Sequence, residues 1–253
     1  PGSFLATEDR GIYGNAFFTQ MENGQFTEQS DKLGAENYWP WGLSAGDLNA
    51  DGFEDAFLAS SMCFPYRYGI NTVLLNNSGQ GYIDSEFAVG VEPRQTPMIV
   101  PWFELDCDGK DADSRLAAGR SGRVVIWSAV GSRSSVMLDV EGDGDLDIVT
   151  NEFNTEPQVL ISNLAEKNPA LAFLKIRLIG KQSNRDGLGA VVTVIAGETR
   201  QHQLHDGRSG YLSQSSLPLY FGLGKTPQVD AIEVRWPGGE VQRLEGPIKG
   251  CLL

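Results

Sequence analysis

Asp47-Leu48-Asn49-Ala50-Asp51-Gly52-Phe53-Glu54-Asp55 runs straight into Ala56-Phe57-Leu58, and Asp139-Val140-Glu141-Gly142-Asp143-Gly144-Asp145-Leu146-Asp147 runs straight into Ile148-Val149. Both stretches carry oxygen-bearing side chains at positions 1, 3, 5 and 9 and a glycine at position 6. Calcium takes about six to eight oxygens at about 2.3–2.6 Å, and alternate residues of a tight loop can aim theirs inward. The glycine permits the sharp turn. The ligands predicted for the first loop are Asp47, Asn49, Asp51, the Phe53 carbonyl and Asp55. Those predicted for the second are Asp139, Glu141, Asp143, the Asp145 carbonyl and Asp147. Position 12 is Leu58 in one loop and Thr150 in the other, so the bidentate glutamate of an EF-hand is missing. An apolar strand, not a helix, follows each loop. Calcium is therefore the expected cofactor, held by β-hairpin loops. Magnesium keeps more of its waters and fits less well. The second loop, with four charged side-chain ligands against three, is expected to depend on the ion more strongly.

The sequence around these loops repeats. After the first come Val73-Leu74-Leu75-Asn76-Asn77 and then Tyr82-Ile83, and after the second comes Val159-Leu160-Ile161-Ser162-Asn163. Phe17-Phe18-Thr19 and Phe26-Thr27 read as the end of an earlier copy. Each unit is predicted as strand, acidic loop, strand and hairpin. Such units stack as blades, because one small sheet cannot bury both faces alone. Glu104 to Asp113 is acidic too, but Asp106, Asp108, Asp111 and Asp113 miss the frame and Lys110 intrudes. Helix periodicity is nearly absent, and 30 glycines and 12 prolines punctuate short β-branched runs such as Val124-Val125-Ile126-Trp127 and Val191 to Ile195. The reading is all-β.

The net charge of −13 supports the loops. The windows 47–55, 104–113 and 139–147 hold 14 of the 33 acidic residues and one of the 20 basic ones, so the rest of the chain carries 19 of each. Carboxylates so concentrated repel one another unless a cation neutralises them. A nucleic-acid partner is not expected, since it demands a basic patch. No apolar run approaches the roughly 20 residues of a membrane span. The three cysteines, Cys63, Cys107 and Cys251, cannot all pair within one chain. They read as buried thiols, with a Cys63–Cys107 bridge the alternative in an exported protein.

Past Asn163 the acidic loops stop, and a polar segment broken by Pro169 precedes a run of strands with turns at Asn184 to Gly187, Asp206-Gly207 and Pro237 to Gly239. The predicted domains are 1–168, about three blades, and 169–253, a small β domain. Propellers close with typically four to eight blades. The 253 residues therefore read as a partial propeller, with apolar radial faces such as Val73 to Leu75 and Val124 to Ile126 left open.

The loops and the strands after them resemble FG-GAP/VCBS repeats of extracellular β-propellers. Asn184-Arg185-Asp186-Gly187-Leu188-Gly189-Ala190, Asp206 to Gln214, Leu219 to Gly224 and Val229 to Gly238 resemble the ASPIC/UnbV domain. Together they are similar to the cartilage acidic protein family. The resemblance implies a partial β-propeller of VCBS/FG-GAP-type blades followed by a small β-sandwich-like domain, secreted, periplasmic or on the cell surface. It implies calcium binding and no defined reaction. The expected role is a non-enzymatic interaction module. Its partner would be a protein or glycan, the missing N-terminal half of the propeller, or other subunits of an assembly. The alternative is a calcium-dependent hydrolase or lyase acting on polysaccharide or lipid, which rests on analogy between folds. Gly42-Leu43-Ser44-Ala45-Gly46 has the spacing of a nucleophile elbow, but that elbow requires a helix after it and here an acidic loop begins. His202 and His205 lie three apart in a segment read as extended, so they face opposite ways.

Overall fold

The structure is a computed structural model that describes residues 15–37, 40–61, 68–208, 210–214 and 217–249. Of the three cysteines, Cys107 is a buried free thiol, and Cys63 and Cys251 lie outside the described residues. The chain is all-β. Six sheets form among the described residues, and none closes on itself.

β1 (Phe18–Gln20) and β2 (Phe26–Glu28) make a hairpin, followed by the single turn α1 (Ser30–Leu33). Next comes a four-stranded meander of β3 (Pro40–Gly46), β4 (Asp55–Ser60), β5 (Thr72–Asn76) and β6 (Tyr82–Asp84), paired in that order. The first acidic loop is the β3–β4 connection. β7 (Ile99–Asp106) and β8 (Arg123–Ala129) form a ribbon of their own. β9 (Gly131–Leu138), β10 (Asp147–Phe153) and β11 (Gln158–Leu160) repeat the meander with three strands, and the second acidic loop joins β9 to β10. After the short turn α2 (Leu164–Lys167) come β12 (Phe173–Ile176), β13 (Ala190–Ala196), β14 (Thr199–His205), β15 (Leu219–Gly222), β16 (Gln228–Arg235) and β17 (Val241–Lys249). These pair as β12–β15 and as a sheet in the order β14-β13-β16-β17.

Successive side chains of a strand point to opposite faces, and the core follows that rule. Phe57, Ala59 and Val73 face the neighbouring meander and pack with Ile148 and Val91. Leu58 and Leu74 face the other way and pack with Ala35 against Phe17 and Tyr82. The expectation that Val73 and Leu74 lie open is therefore not met: both are buried, on opposite faces, because each face of this meander already has a neighbour. Of the other face expected to be open, Val125 is exposed while Ile126 is buried against Leu105 and Cys107, and exposed apolar surface on the β7–β8 ribbon comprises Ile99, Val125 and Trp127, at 60%, 43% and 54%. A separate core joins Leu174, Ile176, Val192, Val194, Phe221, Val229 and Ile232 from β12, β13, β15 and β16.

Candidate metal loops

The two loops share the bond from the position-1 carboxylate to the N–H of the position-6 glycine, and differ in the second amide that this carboxylate accepts. In the first, Asp47 Oδ2 accepts the Gly52 N–H at 2.7 Å and Oδ1 accepts the Asp51 N–H at 3.0 Å. In the second, Asp139 Oδ2 accepts the Gly144 N–H at 3.0 Å and Oδ1 accepts the Gly142 N–H at 2.5 Å. Gly52 and Gly144 have φ of +97° and +104°, a left-handed conformation that side chains disfavour, which is why glycine stands at position 6.

The position-9 aspartates match as well. Asp55 accepts N–H bonds from Leu48 at 2.8 Å and Asn76 at 2.7 Å. Asp147 accepts them from Val140 at 2.7 Å and Ser162 at 2.8 Å. Each carboxylate thus ties position 2 of its loop to the chain at the end of the third strand of its meander. Asn49 Oδ1 accepts from the Asp51 N–H, and Asp51 Oδ1 accepts from the Phe53 N–H, both at 3.0 Å. Asp143 Oδ1 and the Asp145 N–H are 3.4 Å apart, and Glu141 is exposed.

Burial makes these carboxylates costly. Asp47 and Asp55 are 3% and 1% exposed. Burial first, with repulsion from Asp51 and Asp55 added, pushes Asp47 up to about 7. Burial and repulsion from Asp51 push Asp55 up to about 6, against the pull of the Asn76 and Leu48 amides. Among the described residues no basic side chain forms an ion pair with either. In the second loop, Asp145 Oδ2 accepts the Ala165 N–H at 2.7 Å, while its Oδ1 is buried without a hydrogen-bond partner. Lys175 Nζ lies 2.6 Å from Asp139 Oδ2.

The β12–β15 ribbon sits over both loops, a placement that no local motif discloses. Phe173 and Gly222 are paired across the ribbon. A Cβ on Gly222 would collide with Asp47 Oδ2 and Ala50, and one on Gly144 would collide with the Phe173 ring. The Gly224 N–H donates to the Ala50 carbonyl at 2.9 Å. Tyr220 stands between the loops and donates to the Gly144 carbonyl at 2.9 Å. Burial, and after it the charges of Asp47, Asp145, Asp139 and Asp143, hold its phenol far above the ordinary range, so it remains a donor.

The donors are all oxygens, as a hard cation requires, and two of the carboxylates are buried without a counter-charge among the described residues. The residues therefore suit calcium in kind. Among the described residues no three His, Cys, Asp or Glu side chains are gathered into a ligand sphere. The position-1 and position-9 carboxylates are occupied with backbone N–H groups.

The middle acidic stretch differs. Asp111 Oδ2 accepts from the Asp106 N–H and Asp108 Oδ2 from the Gly122 N–H, at 2.8 and 2.7 Å, so these side chains brace the β7–β8 connection. His202 is exposed and His205 buried, on opposite faces of β14. Ser44 is 5% exposed, with its Oγ 2.7 Å from Ser135 Oγ and 2.8 Å from the Ser135 carbonyl. It joins β3 to β9. Ser44→Ala should cost about 1 kcal/mol in urea unfolding. The wild-type serine should resist a fluorophosphonate probe, and covalent labelling would show it to be a nucleophile.

Segment 4–58, which ends in β4 and contains the first loop, matches the family model of the FG-GAP-like repeat. Segment 180–249, from the turn before β13 to the end of β17, matches the family model of ASPIC and UnbV. No curated protein matches the chain. Among the described residues no helix is long and apolar enough to cross a membrane.

Proposed function

We propose that the chain is a calcium-stabilised extracellular interaction module of two units, 1–168 and 169–253, and that it belongs with the cartilage acidic protein family. The observation that carries the calcium reading is the pair of similar loops, in which, among the described residues, Asp47 and Asp55 are buried without a basic partner and Asp145 Oδ1 is buried without a hydrogen-bond partner. The FG-GAP-like and ASPIC/UnbV similarities in one chain support the family and the extracellular setting. Bound calcium would supply the positive charge that these carboxylates lack. Asp47, Asn49, Asp51, the Phe53 carbonyl and Asp55 would hold it in one loop, and Asp139, Glu141, Asp143, the Asp145 carbonyl and Asp147 in the other. The partner we propose is a protein or glycan, or the remaining blades or subunits of a larger assembly. The exposed apolar face of β7–β8 supports such a contact, since open patches of this kind mark interfaces.

A ligand held only by the folded state adds about 2.7 kcal/mol at a hundredfold excess over its dissociation constant. The melting temperature of the full chain should therefore rise with calcium and fall again with chelator. A melting temperature indifferent to both would remove the reading. The hydrolase or lyase alternative draws on one observation. A cleft of about 540 Å³ between the meanders and the C-terminal strands is lined by Ser44, Asp139, Lys175, His205, Arg208 and Tyr220. Calcium-dependent cleavage of an acidic polysaccharide by the full chain would favour it.

A further inference from the structure

We propose that Lys175 is a built-in counter-cation of the second loop, competing with calcium for Asp139, so that the two loops bind the ion unequally and the first binds it more tightly. The inference rests on the calcium reading above. Lys175 lies on β12, outside the loop and 36 residues from Asp139 in sequence, yet its ammonium reaches Asp139 Oδ2 at 2.6 Å. The pair is sheltered: the Lys175 side chain is 20% exposed and that of Asp139 is 2% exposed. A charge-assisted contact this short in low dielectric is stronger than a surface ion pair.

Asp139 is the position-1 residue of its loop, and among the described residues its counterpart Asp47 has no such partner. Where Lys175 meets the second loop, the backbone of Gly222 and Gly224 meets the first. By charge alone the second loop should bind more strongly, with four charged side-chain ligands against three. Lys175 cancels that difference, and the ammonium must also be displaced before Asp139 can ligate. Because Lys175 is held within the β12–β15 ribbon, its release loosens one of the contacts that seat the ribbon on the loops. Filling the second loop is thereby linked to the hold on the C-terminal strands.

Calorimetric titration of calcium into the full chain, wild type against Lys175→Met, tests this. The weaker of two sites should tighten by about tenfold in Lys175→Met, while the stronger stays within about twofold. A weaker site left unchanged, or weakened further, overturns the inference and leaves the calcium reading standing. No uptake in either protein overturns both. A second measurement needs only the wild-type chain. Acetylation of Lys175 by an N-hydroxysuccinimide ester, followed by mass spectrometry, should accelerate about tenfold when calcium displaces the ammonium. Equal reactivity with calcium and with chelator, in a chain that calorimetry shows to bind two ions, contradicts the inference even if Lys175→Met does not fold.

Discussion

Replacing Arg94 with methionine is expected to remove about 3–5 kcal/mol of folding stability, as measured by urea unfolding. Among the described residues the guanidinium is the one positive charge in a buried polar cluster that also holds two carboxylates. Arg94 Nη2 pairs with Glu152 Oε2 at 2.9 Å, with the two side chains 1% and 0% exposed. Arg94 Nε donates to the Tyr68 hydroxyl at 2.9 Å, and that hydroxyl donates to Glu92 at 2.7 Å. Glu92 also accepts the N–H groups of Asn71 and of Arg94 itself. Glu152 accepts from Ser132 and Thr150. The cluster bolts the segment that leaves the first meander onto β9 and β10 of the second. Burial, reinforced by Glu92, holds the Tyr68 phenol above its ordinary range, so it keeps the proton it donates. Methionine would leave both carboxylates buried without a counter-charge. The double variant Arg94→Met/Glu152→Gln should recover part of the loss, because one of the stranded charges goes with it. A loss below about 1 kcal/mol for Arg94→Met would show that water reaches the cluster.

Asp55→Ala, measured in chelator so that only the protein's own bonds count, should cost about 2–4 kcal/mol. The carboxylate is 1% exposed and satisfies the Leu48 and Asn76 N–H groups at once. Alanine leaves both unpaired where little water reaches. Asp55→Asn keeps a single accepting oxygen, so it should cost roughly half as much. Asp147→Ala should repeat the result, since Asp147 binds Val140 and Ser162 in the same way. Losses that differ greatly between the two alanine variants would contradict the equivalence of the loops. The same aspartates carry the proposed calcium ligation, so in calcium the alanine variants should lose the ion's stabilisation as well.

The sequence disclosed what is local. The step from loop to apolar strand at Asp55-Ala56-Phe57 and at Asp147-Ile148 located β4 and β10. Gly52 and Gly144 announced the tight turn whose positive φ the structure shows. The Arg94 cluster was not legible, because residues 68, 71, 92, 94, 132, 150 and 152 follow no helical or strand period and meet only when the meanders pack. The same holds for Lys175, which reads as an ordinary outward strand residue until β12 is laid across the second loop. The open apolar face was assigned in part to the wrong strand. Val73 and Leu74 look alike in sequence, and only tertiary packing shows that each face of their sheet is covered while Val125 and Trp127 remain outside.

Isothermal titration of calcium into the full chain tests the central claim most directly. Two ions should bind per chain, with dissociation constants in the micromolar to millimolar range of such loops. Asp47→Ala should abolish the tighter site and Asp143→Ala the weaker. The absence of saturable uptake up to millimolar calcium, in a chain shown to be folded, would contradict the account.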